Sequence, residues 1–125
     1  MAYSATFTLN HLGGRNYRLV ITETESGAAT EKEITGLPKY GRICQQRLVK
    51  TAGSATTFAP ILQEATGAAN AGYTVVQATA AADQNNTLDP PAKYVTTDGK
   101  LYHRSVCDTG SDTSVTIIYD IQAGW

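Results

Sequence analysis

Charge is scarce in this chain. Asp, Glu, Lys and Arg make up 17% of its 125 residues, against roughly 25% in an average domain. The formal net charge is -1, and the basic residues are scattered from Arg15 to Arg104 with no dense run. That excludes a groove that tracks phosphates, so no nucleic-acid partner is expected. Long apolar runs are also missing. Nothing approaches the roughly 18 residues of a membrane span, so no membrane association is expected. The start of the chain, "MAYSATFTLN", lacks a basic segment followed by an apolar one, so no secretion signal is expected and synthesis should be cytosolic. Cysteine occurs twice, which cannot make a disulfide framework. Cys44 and Cys107 would bridge only if their strands were neighbours, and free, partly buried thiols are the expectation. No C-x-x-C spacing and no phosphate-cradling loop occurs, and no cofactor is expected.

Ala, Thr, Ser and Gly fill the space that charge leaves, and their dominant period is two. In "YSATFTLN", Tyr3, Ala5, Phe7 and Leu9 alternate with polar residues, as in a half-buried strand. After Gly13-Gly14, "NYRLVITETE" places Tyr17, Leu19 and Ile21 on one face, which predicts an antiparallel hairpin with the first strand. A turn at Ser26-Gly27 precedes a short strand in "TEKEITGL". "GRICQQRLVK" is β-compatible, with a bulge expected near Gln45-Gln46. "YTVVQATAAA" reads as a strand, "DQNNTLDPPA" as loop. Asp98-Gly99 sits between two β-rich runs, the preferred chemistry of a tight hairpin. "TSVTIIYDI" sets Val115, Ile117, Tyr119 and Ile121 on one face. About seven or eight short strands result, the pattern of a single all-β domain over 1-125, an antiparallel sandwich or small barrel. The first, second, fifth and last strands are expected to supply the core.

From 51 to 72 the alternation fails, and Pro60 interrupts any helix. This predicts a long irregular loop, with Pro60 able to start one short turn. Phe58, Pro60, Ile61 and Leu62 form an apolar group there. Two roles stay open for it: plugging the domain's own core, or contacting a partner.

Candidate chemistry concentrates near the C-terminus. Asp108-Thr109-Gly110 resembles the active-site triplet of aspartic proteases, which need two carboxylates close together, one ionised and one protonated. Only one strand and a tail follow it, so nothing remains to build a flap or a supporting strand. Asp108 to Asp112 are all turn formers, and a hairpin loop between the last two strands accounts for them. Asp108 and Asp112 alone fall short of the six to eight oxygens that calcium takes. His103 and Cys107 share a strand face but lie roughly 13 Å apart along it. Reaching one zinc would break the strand, and His11 and Cys44 would have to converge as well. His103 is expected to be a half-buried strand histidine. Cys107 lacks an oxyanion loop or an elbow motif. No catalytic or metal residue is assigned, and no enzyme activity is expected.

The Ala/Thr/Gly-rich, low-charge composition, the insertion "GSATTFAPILQEATG" and the ending "GKLYHRSVCDTGSDTSVTIIYDIQAGW" resemble the small β-sandwich structural proteins of tailed-phage virions, the capsid cement or decoration type in particular. The likeness is one of style over the whole chain and of residues over the last third. It implies a protein at the capsid surface that binds the major capsid protein of the same virus and stabilises the shell. Partner contacts are then expected at Tyr3, Phe58, Pro60, Ile61, Leu62 and Trp125. Open edge strands make a homo-oligomer, dimer or trimer, plausible. The alternative is a tail, baseplate or fibre component, or a carbohydrate-binding β-sandwich using some of the seven tyrosines.

Overall fold

The computed structural model describes residues 4–25, 31–52, 58–64, 74–77, 84–107 and 113–124. These residues form nine strands: β1 (Ser4–Gly13), β2 (Asn16–Glu25), β3 (Glu31–Ile34), β4 (Tyr40–Ala52), β5 (Phe58–Gln63), β6 (Thr74–Gln77), β7 (Gln84–Val95), β8 (Leu101–Cys107) and β9 (Thr113–Ala123). They make a five-stranded sheet in the order β1-β2-β9-β4-β7 and a four-stranded sheet in the order β3-β8-β5-β6. All pairs are antiparallel. The inner faces share one core cluster, so the expected all-β sandwich is what forms.

The core follows from alternation. Val115, Ile117, Tyr119 and Ile121 of β9 are all buried, between Leu19 and Ile21 of β2 and Ile43 and Leu48 of β4. Ile34, Leu62 and Leu101 close the cluster from the other sheet. Each such side chain contributes about 1.5–3 kcal/mol by leaving water. β1 contributes less than expected, because it lies at a sheet edge, where Phe7 and Leu9 are only partly buried. The side chains of β6, which corresponds to the fifth strand of the expected core, lie outside the described residues.

The expected hairpin of β1 and β2 is present, in register from Ser4↔Thr24 to His11↔Tyr17. Gly13 (φ 112°) and Gly14 (φ 56°) take the positive φ that its turn requires. The expected bulge is also present. The register of β4 shifts between Ile43 and Gln45 against both neighbours, so Cys44 is the extra residue. It resets the phase, which is why Ile43, Gln46 and Leu48 all face inward.

Four expectations are corrected. Residues 51-72 are not one irregular loop, and Pro60 starts no helical turn, because Phe58–Gln63 is a strand. Proline is tolerated there because Pro60 pairs with Ser105 of β8, whereas the ladder to β6 begins only at Ile61. "DQNNTLDPPA" largely belongs to β7. β7 is an edge strand, and Leu88 to Pro91 arch out between the pairs Gln45↔Thr87 and Ile43↔Ala92, so neither proline breaks a rung. Asp98-Gly99 does turn the chain, but β7 and β8 are in different sheets, so the turn is an arch between sheets. It is fixed by Gly99 N donating to Thr96 Oγ1 (2.9 Å), Lys100 N donating to Asp98 Oδ1 (3.2 Å) and Leu37 N donating to Gly99 O (3.1 Å). For the same reason β8 and β9 are not a hairpin. The turns expected at Ser26-Gly27 and at Asp108 to Asp112 lie outside the described residues.

Candidate functional site

Two places in the fold hold chemistry worth testing: a polar cluster between the sheets and the outer face of the five-stranded sheet. The cluster begins on β2. Its inward row runs Tyr17, Leu19, Ile21 and then Glu23, so the alternation that half-buries Tyr17 and buries Leu19 and Ile21 also buries a carboxylate, 1% exposed. On β8 the inward row is Leu101, His103 and Ser105, all fully buried. Packing the sheets face to face brings the three polar groups together. His103 Nε2 lies 2.9 Å from Glu23 Oε2 and 3.1 Å from Ser105 Oγ. Ser105 Oγ–H donates to Glu23 Oε1 in a short contact.

Serine, histidine and a carboxylate suggest nucleophilic catalysis, but the connectivity is different. A relay has the carboxylate on one imidazole nitrogen and the serine on the other. Here both meet Nε2, while Nδ1 is buried without a hydrogen-bond partner. The serine proton points at the carboxylate, so the imidazole is not its base. The carboxylate accepts from both neighbours, which is how a buried charge is made tolerable. All three groups are sealed from solvent, so no substrate reaches them in this conformation. The arrangement joins the two sheets through a charge-assisted hydrogen-bond network. Nearby, Gln46 Nε2 donates to Tyr119 Oη (3.1 Å). Burial pushes the Tyr119 phenol well above its ordinary range; the Gln46 hydrogen bond opposes this and the Glu23 charge adds to it.

The outer face carries the opposite row of each strand. Thr6, Thr8 and Asn10 come from β1, and Arg18, Val20 and Thr22 from β2. Thr116, Ile118 and Asp120 come from β9, and Arg42, Arg47 and Val49 from β4. Val20 is opposite Ile118, and Thr116 is opposite Val49, so three half-buried aliphatic side chains lie together at the middle of the face. Tyr40 and Val95 pair at one end, each about half exposed at 54% and 51%. The polar groups are tied across strands: Arg18 Nε donates to Asp120 Oδ1 (2.9 Å) and Arg42 Nε to Gln122 Oε1 (2.7 Å). Arg18, Arg42, Arg47 and Lys93 lie on this face with Asp120 as the carboxylate among its described side chains, so it is locally positive.

A cavity of about 190 Å³ indents the same face where β1 turns into β2, beside Leu12, Arg18, Cys44, Asp120 and Gln122. It is smaller than the ~300–1,000 Å³ of ordinary ligand pockets. Cys44 is a free thiol of intermediate burial. β4 and β8, which carry the two cysteines, are in different sheets.

Pro60, Ile61 and Leu62 are buried within β5, and Leu62 belongs to the core cluster between the sheets. Tyr3 and Trp125 lie outside the described residues, as does the side chain of Phe58. Asp108 and Asp112 also lie outside them. His103 is fully buried where half-burial was expected, because β8 is an inner strand of its sheet and Glu23 offers the imidazole a partner. His11 stacks on Tyr17 at 4.6 Å, on the β1–β2 hairpin. Among the described residues no three His, Cys, Asp or Glu side chains gather as metal ligands. Glu23 was missed by sequence reading, although a signal existed: a charge in core phase on one strand, with His and Ser in core phase on another.

No protein-family model and no curated protein matches this chain.

Proposed function

We propose that this protein is a structural component of a tailed-phage virion, a cement or decoration protein that binds the outside of the assembled capsid. The observation that carries the reading is the outer face of the five-stranded sheet. It is broad, cross-linked by its own hydrogen bonds and locally positive, and it holds an aliphatic centre of Val20, Val49 and Ile118 within a Thr- and Arg-bearing surround. A stable interface has this anatomy, an apolar middle inside a polar rim. The resemblance of composition and of the C-terminal third to virion β-sandwich proteins supplies the partner, the major capsid protein of the same virus.

The mechanism is linkage. A protein that binds the assembled shell and not its free subunits stabilises the shell by mass action, about 2.7 kcal/mol per site at a hundredfold excess over Kd. Catalysis and cofactors have no part in it. Arg47, exposed and opposite Ile118, steers the face toward carboxylates on the capsid.

The test is quantitative mass spectrometry of purified particles of the virus that encodes the chain, followed by a cryo-EM map. Stoichiometric copies on the shell, with this sheet face against it, support the reading. Absence from particles refutes it, and density confined to the tail replaces it with a tail or baseplate role.

A further inference from the structure

Among the described residues the two sheets end in four edge strands, and three of them carry features that discourage pairing. β7 bends out at Leu88 to Pro91 and holds two prolines. β3 is four residues long, and three of them are charged: Glu31, Lys32 and Glu33. β6 is also four residues long. β1 differs on every count. It is ten residues long, "SATFTLNHLG", with no Asp, Glu, Lys, Arg or Pro, and its register to β2 is unbroken from Ser4 to His11. On its other side it meets no strand of its own sheet among the described residues. Natural sheets protect long edges with charge, proline, bulges or shortness. An edge without these devices is open to pairing.

We propose that β1 pairs antiparallel with β1 of a second copy, joining two five-stranded sheets into one across a two-fold axis. The strand is its own complement. A two-fold axis at Thr8 sets Thr8 against Thr8, Phe7 against Leu9, Thr6 against Asn10, and Ala5 against His11. Odd residues meet odd and even meet even, so the core-side row continues across the junction with Phe7 against Leu9 on either side of the axis and Ala5 against His11 beyond them. The outer row continues as Thr and Asn. Phe7 and Leu9, only partly buried in one copy, lose their remaining exposure to each other. No charge is left opposite a like charge, and no charged partner is needed to neutralise the edge. The occupant that fits an uncharged, self-complementary strand is therefore a second copy. Such an interface is isologous and closes at two subunits. It would also place the two outer faces side by side as one larger surface.

Sedimentation equilibrium over a wide concentration range tests this, with three variants. The wild type should reach twice the 13.3 kDa chain mass. Thr8→Lys sets two ammonium groups against each other at the axis, on an exposed position of the single copy, and should sediment as monomer over the same range. In a Cys44→Ser/Cys107→Ser background, Thr8→Cys should form a cross-linked dimer on mild oxidation, since opposed residues of an antiparallel pair lie about 4.5–5.5 Å apart. Thr22→Cys, exposed on β2 and away from the edge, should not. If Thr8→Lys fails to fold, the cysteine pair decides. A wild type that stays monomeric throughout, a mass of three chains, or a dimer that Thr8→Cys does not trap overturns the proposal. The outcome is separate from the virion reading: dimers absent from particles remove that reading and leave this one.

Discussion

Replacing Glu23 with alanine removes the acceptor shared by His103 and Ser105 and leaves both polar groups buried between the sheets. Breaking a buried, hydrogen-bonded charge cluster by deleting one member costs about 3–5 kcal/mol. The unfolding entropy of a 125-residue chain is roughly 0.26 kcal/mol/K at about 2.1 cal/mol/K per residue. The loss should therefore lower Tm by about 12–19 °C. Glu23→Gln keeps an oxygen for Ser105 and should cost less than half as much. Replacing Glu23, His103 and Ser105 together by apolar residues of similar volume should recover most of the loss, because the desolvation cost leaves with the charges. Thermal melts by far-UV circular dichroism, backed by urea midpoints, read all three variants. A Glu23→Ala variant that melts within about 4 °C of wild type, near 1 kcal/mol, would refute the assignment of this cluster as a link between the sheets.

Gly99→Ala should destabilise by about 2 kcal/mol or more, because a Cβ there would sit 2.5 Å from Leu37 O on a backbone with φ +73°; a denaturant midpoint equal to that of wild type would contradict this. Tyr94 and Tyr119 are held neutral mainly by burial, so their folded pKa values lie above the ordinary 10.0. Their stabilising contribution is complete below that pH and falls as pH rises past it, since the unfolded chain releases protons there that the folded one retains. Urea midpoints should decline above about pH 10, and an ultraviolet titration should show these two phenols ionising only on unfolding. Ile118→Lys, on the half-buried outer row, should change stability by no more than about 1 kcal/mol while abolishing attachment to particles in a co-sedimentation assay.

Alternation along the chain was enough to place β1, β2, β4 and β9, and it assigned the core row of β9 residue by residue. Even the bulge at Cys44 was visible, as a break in phase next to Gln45-Gln46. The proline-bearing strands β5 and β7 were not. Proline in a strand depends on whether its missing donor faces a neighbour, and no local pattern carries that information. Of the candidate site, Glu23, His103 and Ser105 are each legible as polar residues in core phase. Their meeting was hidden, because Glu23 is 80 residues from His103 and 82 from Ser105.

The division has a physical basis. Which residues of a strand turn inward follows from a period of two, so the sequence by itself determined the class of fold, most of the core and the single β1–β2 turn. Which strand lies beside which follows from how the two sheets pack, and only the tertiary structure decided it. Asp98-Gly99 has hairpin chemistry yet crosses between sheets, because β8 finds β3 and β5 as partners and β7 finds β4. The same packing enclosed Leu62 of β5 and left the outer face of the five-stranded sheet and the length of β1 open among the described residues.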